Sequence, residues 1–432
     1  MRALSFALTI LAATQGARAA EVTSVLDAFD GDKVWDGAFG VRFQHVERRA
    51  QVLREWICQS DNALGDPSGR NPLCPDGNEV LDSKQLAFTE SIDIVNIDLR
   101  GGLWRDLEVF VTVPIIVSWS TDLSYADGVD GSNSLVASPV IPSLFSVPSS
   151  NSGRAGIGDL VIGVKWAPIS NARDQGLPTW LVGIDYTAPT GEARTAGGSG
   201  VGSAVHVLGL QTAISRQFGM VDPYLHLTGR LRFPSADGPF KFERTTQTLI
   251  SPGHSLEIAF GTEIYPWHDP SDEGSWLSID VAFRASYTGE GREYTELFDA
   301  LGSSGCDPST GCTRTTFARG ERTPSGGLRK TDGVTDVEHY ADVGGHLGVV
   351  YQPMRWLKAR LAFDYMYTTE HFLTFADAGR DLDQNLQVDA VNQDLVNEFN
   401  PFYNESTDSF GHRFRVADKH TYTIMLSVEG QF

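Results

Sequence analysis

The chain has 432 residues with 44 glycines, 10% aromatic residues, 5 methionines and a formal net charge of -21. This acidic balance argues against nucleic acid as a partner, because phosphate binding needs clustered positive charge. The plentiful glycine and aromatic residues favour strands and turns over helices. The sequence contains no stretch of about eighteen uncharged apolar residues, which is the length that a membrane-spanning helix needs.

The first residues predict the export of a bacterial protein. A basic residue at position 2 is followed by an apolar run at 3–13 and by the small-residue site 17–19. This order is typical of a secretory signal peptide. The apolar run of about eleven residues is too short for an anchor helix, since the hydrocarbon core needs about twenty. We therefore expect residues 1–19 to be a signal peptide, with cleavage after Ala19.

Residues 20–36 precede the first strand, and we expect them to form a periplasmic N-terminal segment. Their sequence leaves open a short helix or an extended tail. A third alternative, by analogy with plugged barrels, is a segment that folds back into a barrel lumen.

From residue 37 onwards, apolar residues alternate with polar or small ones, which is the period of a strand with two unlike faces. The clearest example runs from Leu107 to Trp119. Strands are predicted near 37–57, 84–102, 107–120, 155–167, 178–189, 203–217, 221–234, 253–267, 275–289, 337–352, 355–370 and 411–432. The pattern predicts an all-β fold, a transmembrane antiparallel up-and-down β-barrel of about 12 strands that occupies residues 37–432.

The predicted connections alternate strictly between short and long. The long ones are 58–83, 121–154, 190–202, 235–252, 290–336 and 371–410. Short periplasmic turns and long outer loops give this rhythm in Gram-negative outer-membrane barrels. The second strand carries Ile92 and Ile94 on one parity and Ile97 and Leu99 on the other, which a β-bulge in that strand would reconcile.

Tryptophans lie beside the short turns, as expected of an aromatic girdle at a membrane interface. They are Trp104, Trp166, Trp180, Trp267, Trp276 and Trp356, whereas Trp119 lies at the opposite end of its strand. Strict alternation would turn Trp267, Trp276 and Trp356 inward, so the predicted girdle is imperfect.

The last strand alternates up to the C-terminal residue. Tyr422, Ile424, Leu426, Val428 and Phe432 share one face. Such a pattern resembles the assembly signal of bacterial outer-membrane barrels. It predicts a place in the cell outer membrane, with the barrel assembly machinery, outer-membrane lipid and lipopolysaccharide as partners.

The four cysteines form two pairs that are close in sequence, Cys58 with Cys74 and Cys306 with Cys312. Because an exported protein meets an oxidising compartment, we expect two disulfides within long loops. The alternative is a metal site, but neither pair has the CxxC spacing and no histidine lies close to either. No metal or cofactor is therefore expected.

Counting back from the terminal strand assigns charged residues to the lumen. They are Arg230, Arg232, Glu257, Glu263, Asp280, Arg284, Asp342, His346, Lys358, Arg360, Asp364, Arg413 and Arg415. Either these charges fill the barrel and pair with one another, or they line a polar path. Barrel size leaves both alternatives open, because about eight strands give a filled interior and about sixteen an aqueous channel.

Enzymatic activity is not expected. His254-Ser255 is the nearest approach to a nucleophile with its base, but the sequence offers no third group to orient the base.

Several glycine-based segments carry a resemblance to a known family. They are 102–109, 156–166, 188–192 and 198–200. In this order they resemble the outer-membrane transporter-like family named after the meta-pathway of phenol degradation. The resemblance covers roughly residues 100–232 and the C-terminal strand. It implies a barrel for the uptake of small compounds, often hydrophobic or aromatic.

Together these features predict a porin-like passive channel or transporter for small-molecule solutes, hydrophobic or aromatic compounds among them. The alternative is a surface protein with a closed lumen, whose long loops at 290–336 and 371–410 bind a partner.

Overall fold

The structure, a computed structural model, describes most of the chain. The described residues are 20–28, 35–57, 80–136, 144–171, 173–174, 176–236, 238–240, 251–268, 275–304, 321–322, 328–329, 331–381, 384, 388, 398, 400 and 402–432. The predicted signal peptide lies outside them. So do all four cysteines, and with them both predicted disulfides.

Strands dominate the described part of the chain. They are β1 (Gly37–Ile57), β2 (Val80–Trp104), β3 (Leu107–Tyr125), β4 (Ser149–Ile157), β5 (Leu160–Ile169), β6 (Thr179–Ala188), β7 (Val205–Ser215), β8 (Val221–Pro234), β9 (Ser255–His268), β10 (Trp276–Thr288), β11 (Gly291–Glu293), β12 (Glu321–Arg322), β13 (Leu328–Arg329), β14 (Thr335–Val337), β15 (Tyr340–Met354), β16 (Leu357–Thr368), β17 (His371–Phe372) and β18 (Phe414–Gln431). A 3₁₀ turn at Glu21–Thr23 and the short helices α1 (Phe298–Gly302) and α2 (Glu405–Asp408) complete the set. The two α-helices in the described part of the chain have only five and four residues, far fewer than a membrane-spanning helix requires.

The main sheet closes on itself. Each wall strand pairs antiparallel with the next along the chain, and β1 pairs with both β2 and β18. Closure gives a barrel of 12 antiparallel strands and confirms the predicted fold class. The pairs β11–β14 and β12–β13 form two separate small ladders.

One wall strand is bent into two halves, β4 and β5. The start of β3 pairs with β5, and its continuation pairs with β4. Gly158 lies at the bend, where its N–H donates to the Pro114 carbonyl at 2.8 Å. A Cβ at this position would stand 3.1 Å from the Pro114 ring, so glycine suits the close approach of the two strands.

A belt of exposed apolar side chains surrounds the barrel. Each wall strand contributes at least one member, among them Phe43, Leu99, Val117, Ile162, Ile184, Leu210, Leu225, Phe260, Phe283, Leu347, Leu361 and Leu426. The strand register places Leu426 of β18 directly opposite Phe43 of β1 on one side and opposite Leu361 of β16 on the other. A continuous apolar belt of this kind suits lipid rather than water.

The aromatic girdle at the short-turn end differs in detail from strict alternation. Trp267 is exposed, because one extra residue in β9 reverses the parity between Glu263 and Trp267. Trp356 is exposed beside its two-residue turn, whereas Trp276 packs edge-on against the buried Tyr265.

Trp119 does not belong to a girdle at the long-loop end. A register shift in β3 turns its indole into the barrel, where Nε1 donates to Glu90 at 2.8 Å. The irregularity expected in the second strand therefore lies in the third, at Val117. Ile92 and Ile94 both belong to the inner wall.

A charge in the lipid-facing belt should cost more than one in the lumen. We expect Leu426→Arg to lower the free energy of unfolding by about 2–4 kcal/mol, the cost of arginine near the bilayer midplane. Urea titration in lipid vesicles measures this change. Thr423→Arg, in the same strand but facing the interior, is the matched control. Equal losses for both variants would contradict the assignment of faces.

Candidate functional site

Residues 20–28, called the plug from here on, lie inside the barrel at its short-turn end. The Thr23 hydroxyl is 2.8 Å from that of Ser215 on β7. The backbone N–H of Leu26 donates to the Glu108 carboxylate on β3 at 2.8 Å. Glu21 pairs with side chains of β16. A short segment that reaches inner faces on different sides of a closed barrel must cross its lumen. This is the plugged arrangement, one of the alternatives that the sequence left open.

The plug fits closely against the wall. Asp27 accepts the N–H of Asp106 through Oδ1 at 3.0 Å, and the N–H of Ala28 donates to the Trp104 carbonyl. A Cβ on Gly102 would stand 2.2 Å from the Asp27 carbonyl oxygen. Glycine is therefore required at this position for the plug to approach β2.

Charged side chains of the wall hold the plug. Glu21 forms ion pairs with Arg360 and, at 3.6 Å, with Lys358. Elsewhere on the wall, Arg100 of β2 donates two hydrogen bonds to Glu108 of β3, at 2.9 and 2.7 Å, and one to Glu429 of β18 at 3.0 Å. Glu108 is fully buried, so its charge is tolerated because Arg100 and the Leu26 amide both donate to it.

A second network joins several of the residues that the sequence assigned to the lumen. Arg284 pairs with Glu257 at 2.5 Å and with Asp364 at 2.8 Å. His346 places Nδ1 at 2.9 Å from Asp364 and Nε2 at 3.5 Å from Asp280. These side chains are mutually compensated, as expected of charges in a confined interior.

The other residues that the sequence assigned to the lumen lie outside the Arg284–His346 network. Arg230 lies 3.7 Å from Asp185, and Arg232 donates to the Gly253 carbonyl. Asp342 accepts hydrogen bonds from Ser286 and Thr368 at 2.7 and 2.6 Å. Glu263 is buried next to Tyr265, whose hydroxyl donates to it at 2.5 Å.

Arg413 and Arg415 lie on the opposite face from the one expected. A bulge in β18, where Asp418 has φ of 49°, reverses the parity of the strand beyond this point. Phe414 therefore points inward into an apolar core. Arg413 pairs instead with Glu55 at 2.8 Å, and Arg415 pairs with Asp82 at 3.2 Å.

Two cavities of several hundred Å³ are lined by described residues of the interior. The lower one, about 530 Å³, is lined by the plug and by charged wall residues such as Arg42, Asp98 and Arg230. The upper one, about 770 Å³, has two unlike walls. Its apolar residues Ile92, Ile94, Ile116, Val205 and Val207 come from β2, β3 and β7, whereas its polar residues Arg284, Asp342, Asp364, Thr368, Thr421 and Thr423 come from β10, β15, β16 and β18.

Arg194 also lines the upper cavity, and the sequence pattern did not single it out. Its guanidinium lies 3.7 Å from the ring centre of Tyr294 and 4.9 Å from that of Trp119. Within the described chain Arg194 has no carboxylate in ion-pair contact, and its Nε makes no hydrogen bond. Burial raises the pKa of Tyr294 to about 12, so the phenol stays neutral beside this cation. Arg194 comes from a loop, and periodicity assigns no direction to loop residues.

Loop segments fold over the long-loop end as a cap. Leu297 and Leu301, in and next to α1, pack with Val52, Leu86 and Phe414 in one buried apolar core. Arg154 of β4 fixes the cap, since it pairs with Asp299 at 2.6 Å and donates to the carbonyls of Thr195 and Gly200. The long-range contacts of these loops have no periodic signature in the sequence.

The described residues contain no group of three or more histidine, cysteine or acidic side chains that could hold a metal ion. The His254 ring accepts the backbone N–H of Arg232 at 3.1 Å through Nδ1.

No protein-family model matches the chain, so its resemblance to the phenol meta-pathway family is not confirmed. No curated protein matches it either.

The chain is similar to several solved structures. For an outer membrane channel from Pseudomonas putida F1 the TM-score is 0.41, with 9% identity over 91% of this chain and 96% of that one. For a FadL homologue from Pseudomonas aeruginosa the TM-score is 0.29, with 11% identity over 92% of this chain and 90% of that one. For the outer membrane protease OmpT from Escherichia coli the TM-score is 0.28, with 6% identity over 92% of this chain and 96% of that one. At such scores and identities, these similarities assign neither function nor substrate.

The contact between Gly102 and the plug can be tested directly. We expect Gly102→Ala to displace the plug, because the new Cβ would overlap the Asp27 carbonyl. Hydrogen-exchange mass spectrometry should then show several-fold faster exchange in peptides that cover 20–28. Gly40→Ala is the matched control, since its nearest neighbour would lie 3.6 Å away. Unchanged exchange in Gly102→Ala would show that the plug does not rest on β2.

Proposed function

We propose that this protein is an outer-membrane channel or transporter for small amphipathic solutes, plugged at its periplasmic end and capped at its outer end. The observation that carries the proposal is the upper cavity, with an apolar wall on one side and a charged, hydroxyl-rich wall on the other. A solute with an apolar body and a polar or anionic end matches both walls.

The interior contacts argue against a wide aqueous pore. The plug crosses the short-turn end, and the Arg284 and Arg100 networks fill parts of the lumen with paired charges. A solute that forms few hydrogen bonds gains from the apolar wall, since burial of apolar area is favourable at roughly 25 cal/mol per Å². Passage then requires the plug and the cap to move.

Arg194 is the group best suited to receive the polar end of a solute. Its guanidinium is stacked against two aromatic rings and has no carboxylate partner among the described residues. Arginine binds carboxylates through two parallel hydrogen bonds. An aromatic acid would place its carboxylate on Arg194 and its ring on the isoleucines of the apolar wall.

The membrane setting follows from the exterior. The belt faces lipid, and the outward side chains of β18 end on an exposed Phe432 whose N–H donates to the Gly37 carbonyl. We propose that this strand carries the assembly signal. The long loops would then face outward towards lipopolysaccharide.

One observation favours a second candidate, a surface-binding protein with a closed lumen. The cap is built around a buried apolar core that includes Phe145, Leu297 and Phe414. A core of this kind stabilises a fixed outer surface, as a docking platform requires.

Solute flux separates the two candidates. The mature protein in liposomes should pass benzoate faster than glucose, because benzoate has both an apolar ring and a carboxylate. Arg194→Gln should reduce benzoate flux several-fold and leave glucose flux unchanged. Arg49→Gln, an exposed arginine paired with Glu47 on the same strand, is the control. If no benzoate enters, even after Gly102→Ala has displaced the plug, the closed-lumen candidate is favoured.

A further inference from the structure

We infer that the barrel wall contains a binding site for an α-ammonium group, formed by Asp222 and Glu263, and that its ligand is the chain's own amino terminus at Ala20 after processing. The inference rests on the predicted cleavage after Ala19. It does not depend on which solute passes through the barrel.

Three carboxylates lie side by side on the inner wall. Asp222 of β8 is directly opposite Glu263 of β9, and Glu263 is directly opposite Asp280 of β10. Like charges at facing positions repel each other. Such a row requires a compensating cation or donors.

Two of the three carboxylates lack sufficient donors. Asp222 is 0% exposed and neither of its oxygens makes a hydrogen bond within the described chain. Glu263 is 1% exposed, and its Oε1 likewise has none. By contrast, Asp280 accepts from the Tyr224 hydroxyl at 2.9 Å and faces His346. A buried carboxylate with too few donors is costly. Asp222, and Glu263 with the Tyr265 hydroxyl as its one side-chain donor, are therefore the positions where a cation would be most stabilising.

Ala20 is already at this place. It is 0% exposed and packs against Tyr224 and Ala282. Its backbone nitrogen faces the Asp222 carboxylate, together with the N–H of Arg216 and the hydroxyl of Ser215. None of these three neutral donors completes a hydrogen bond to Asp222, and the Ser215 hydroxyl lies 2.8 Å from that of Thr23 instead.

Processing changes the chemistry of that nitrogen. A peptidase of the export machinery would hydrolyse the Ala19–Ala20 peptide bond with one water, leaving a carboxylate on Ala19 and an amine on Ala20. A terminal amine has an ordinary pKa of about 7.7–8.0 and is therefore largely protonated at neutral pH. One N–H donor becomes three, with a full positive charge.

The site would couple maturation to plugging. In the unprocessed chain, the nitrogen at Ala20 is a neutral amide. In the mature chain, the charged terminus pairs with Asp222 and Glu263 while the neighbouring Glu21 pairs with Arg360 and Lys358. Adjacent residues of opposite charge would thus anchor the tip of the plug to two different walls.

The test uses mature protein extracted from outer membranes. N-terminal sequencing should read Ala-Glu-Val, the residues 20–22. Labelling of the terminal amine by an N-hydroxysuccinimide ester, followed by peptide mass spectrometry, should be at least roughly tenfold slower in the folded protein than in urea, because the segment must first open locally.

Two variants make the test specific. Asp222→Asn keeps the side-chain shape but removes the charge, and it should bring the labelling rate close to the unfolded value. Asp98→Asn removes a lumen carboxylate that pairs with Arg42 on another wall, and it should leave the amine protected. Heat-modifiable migration on gels verifies that both variants are folded.

A different N-terminal residue would overturn the inference. Equal labelling of folded and unfolded wild type would do so too, as would full protection in the folded Asp222→Asn variant. None of these readouts measures flux, so failure of the channel proposal would be seen separately.

Discussion

The structure depends on the pairing of β1 with β18. Inside a bilayer an unpaired backbone N–H or C=O has no water to bind, so a sheet can cross only if it has no free edge. The terminal strands supply the final ladder, from Ala38 opposite Gln431 to Arg54 opposite Phe414. Once the ladder closes, alternate side chains of every wall strand face lipid or lumen, and the belt and the inner networks follow from that single condition.

The same alternation explains what could be predicted from the sequence. The strand period, the short–long rhythm of the connections and the terminal phenylalanine were sufficient to predict the closed barrel, because each can be read from a local stretch of sequence. The errors occur where one residue is inserted into a ladder. The bulge in β18 turned Arg415 away from the lumen, that in β9 turned Trp267 outward, and that in β3 turned Trp119 inward. A bulge shifts the alternation by one residue, so a face assigned by counting along the strand is wrong beyond it.

The interior was less predictable, for a different reason. Arg284, Glu257 and Asp364 were assigned to the lumen by parity, but their pairing depends on which strands become neighbours. The sequence left the plug as one of three alternatives for the N-terminal segment, and it did not single out Arg194. Neither belongs to a strand, and their contacts join residues that are distant in the chain, such as Leu26 with Glu108. The two isoleucine positions in β2 did carry a signal, since apolar residues on both parities mark a wall that is apolar on both faces.

A closed cylinder imposes opposite demands on its contents. Paired charges such as Arg100 with Glu108 rigidify the lumen and exclude water. A passage, however, needs elements that can move while the wall stays closed. The plug is held by ion pairs and hydrogen bonds and the cap by apolar packing, and neither contributes a strand to the closed ladder, so both can move while the wall stays intact. The upper cavity lies between the plug and the cap, and its apolar lining residues take no part in the charge networks. Opening the cap would therefore expose a binding surface for an apolar group while the charge pairs within the wall, such as Arg100 with Glu108 and Arg284 with Glu257, remain in place. Such an arrangement fits selective admission better than free diffusion.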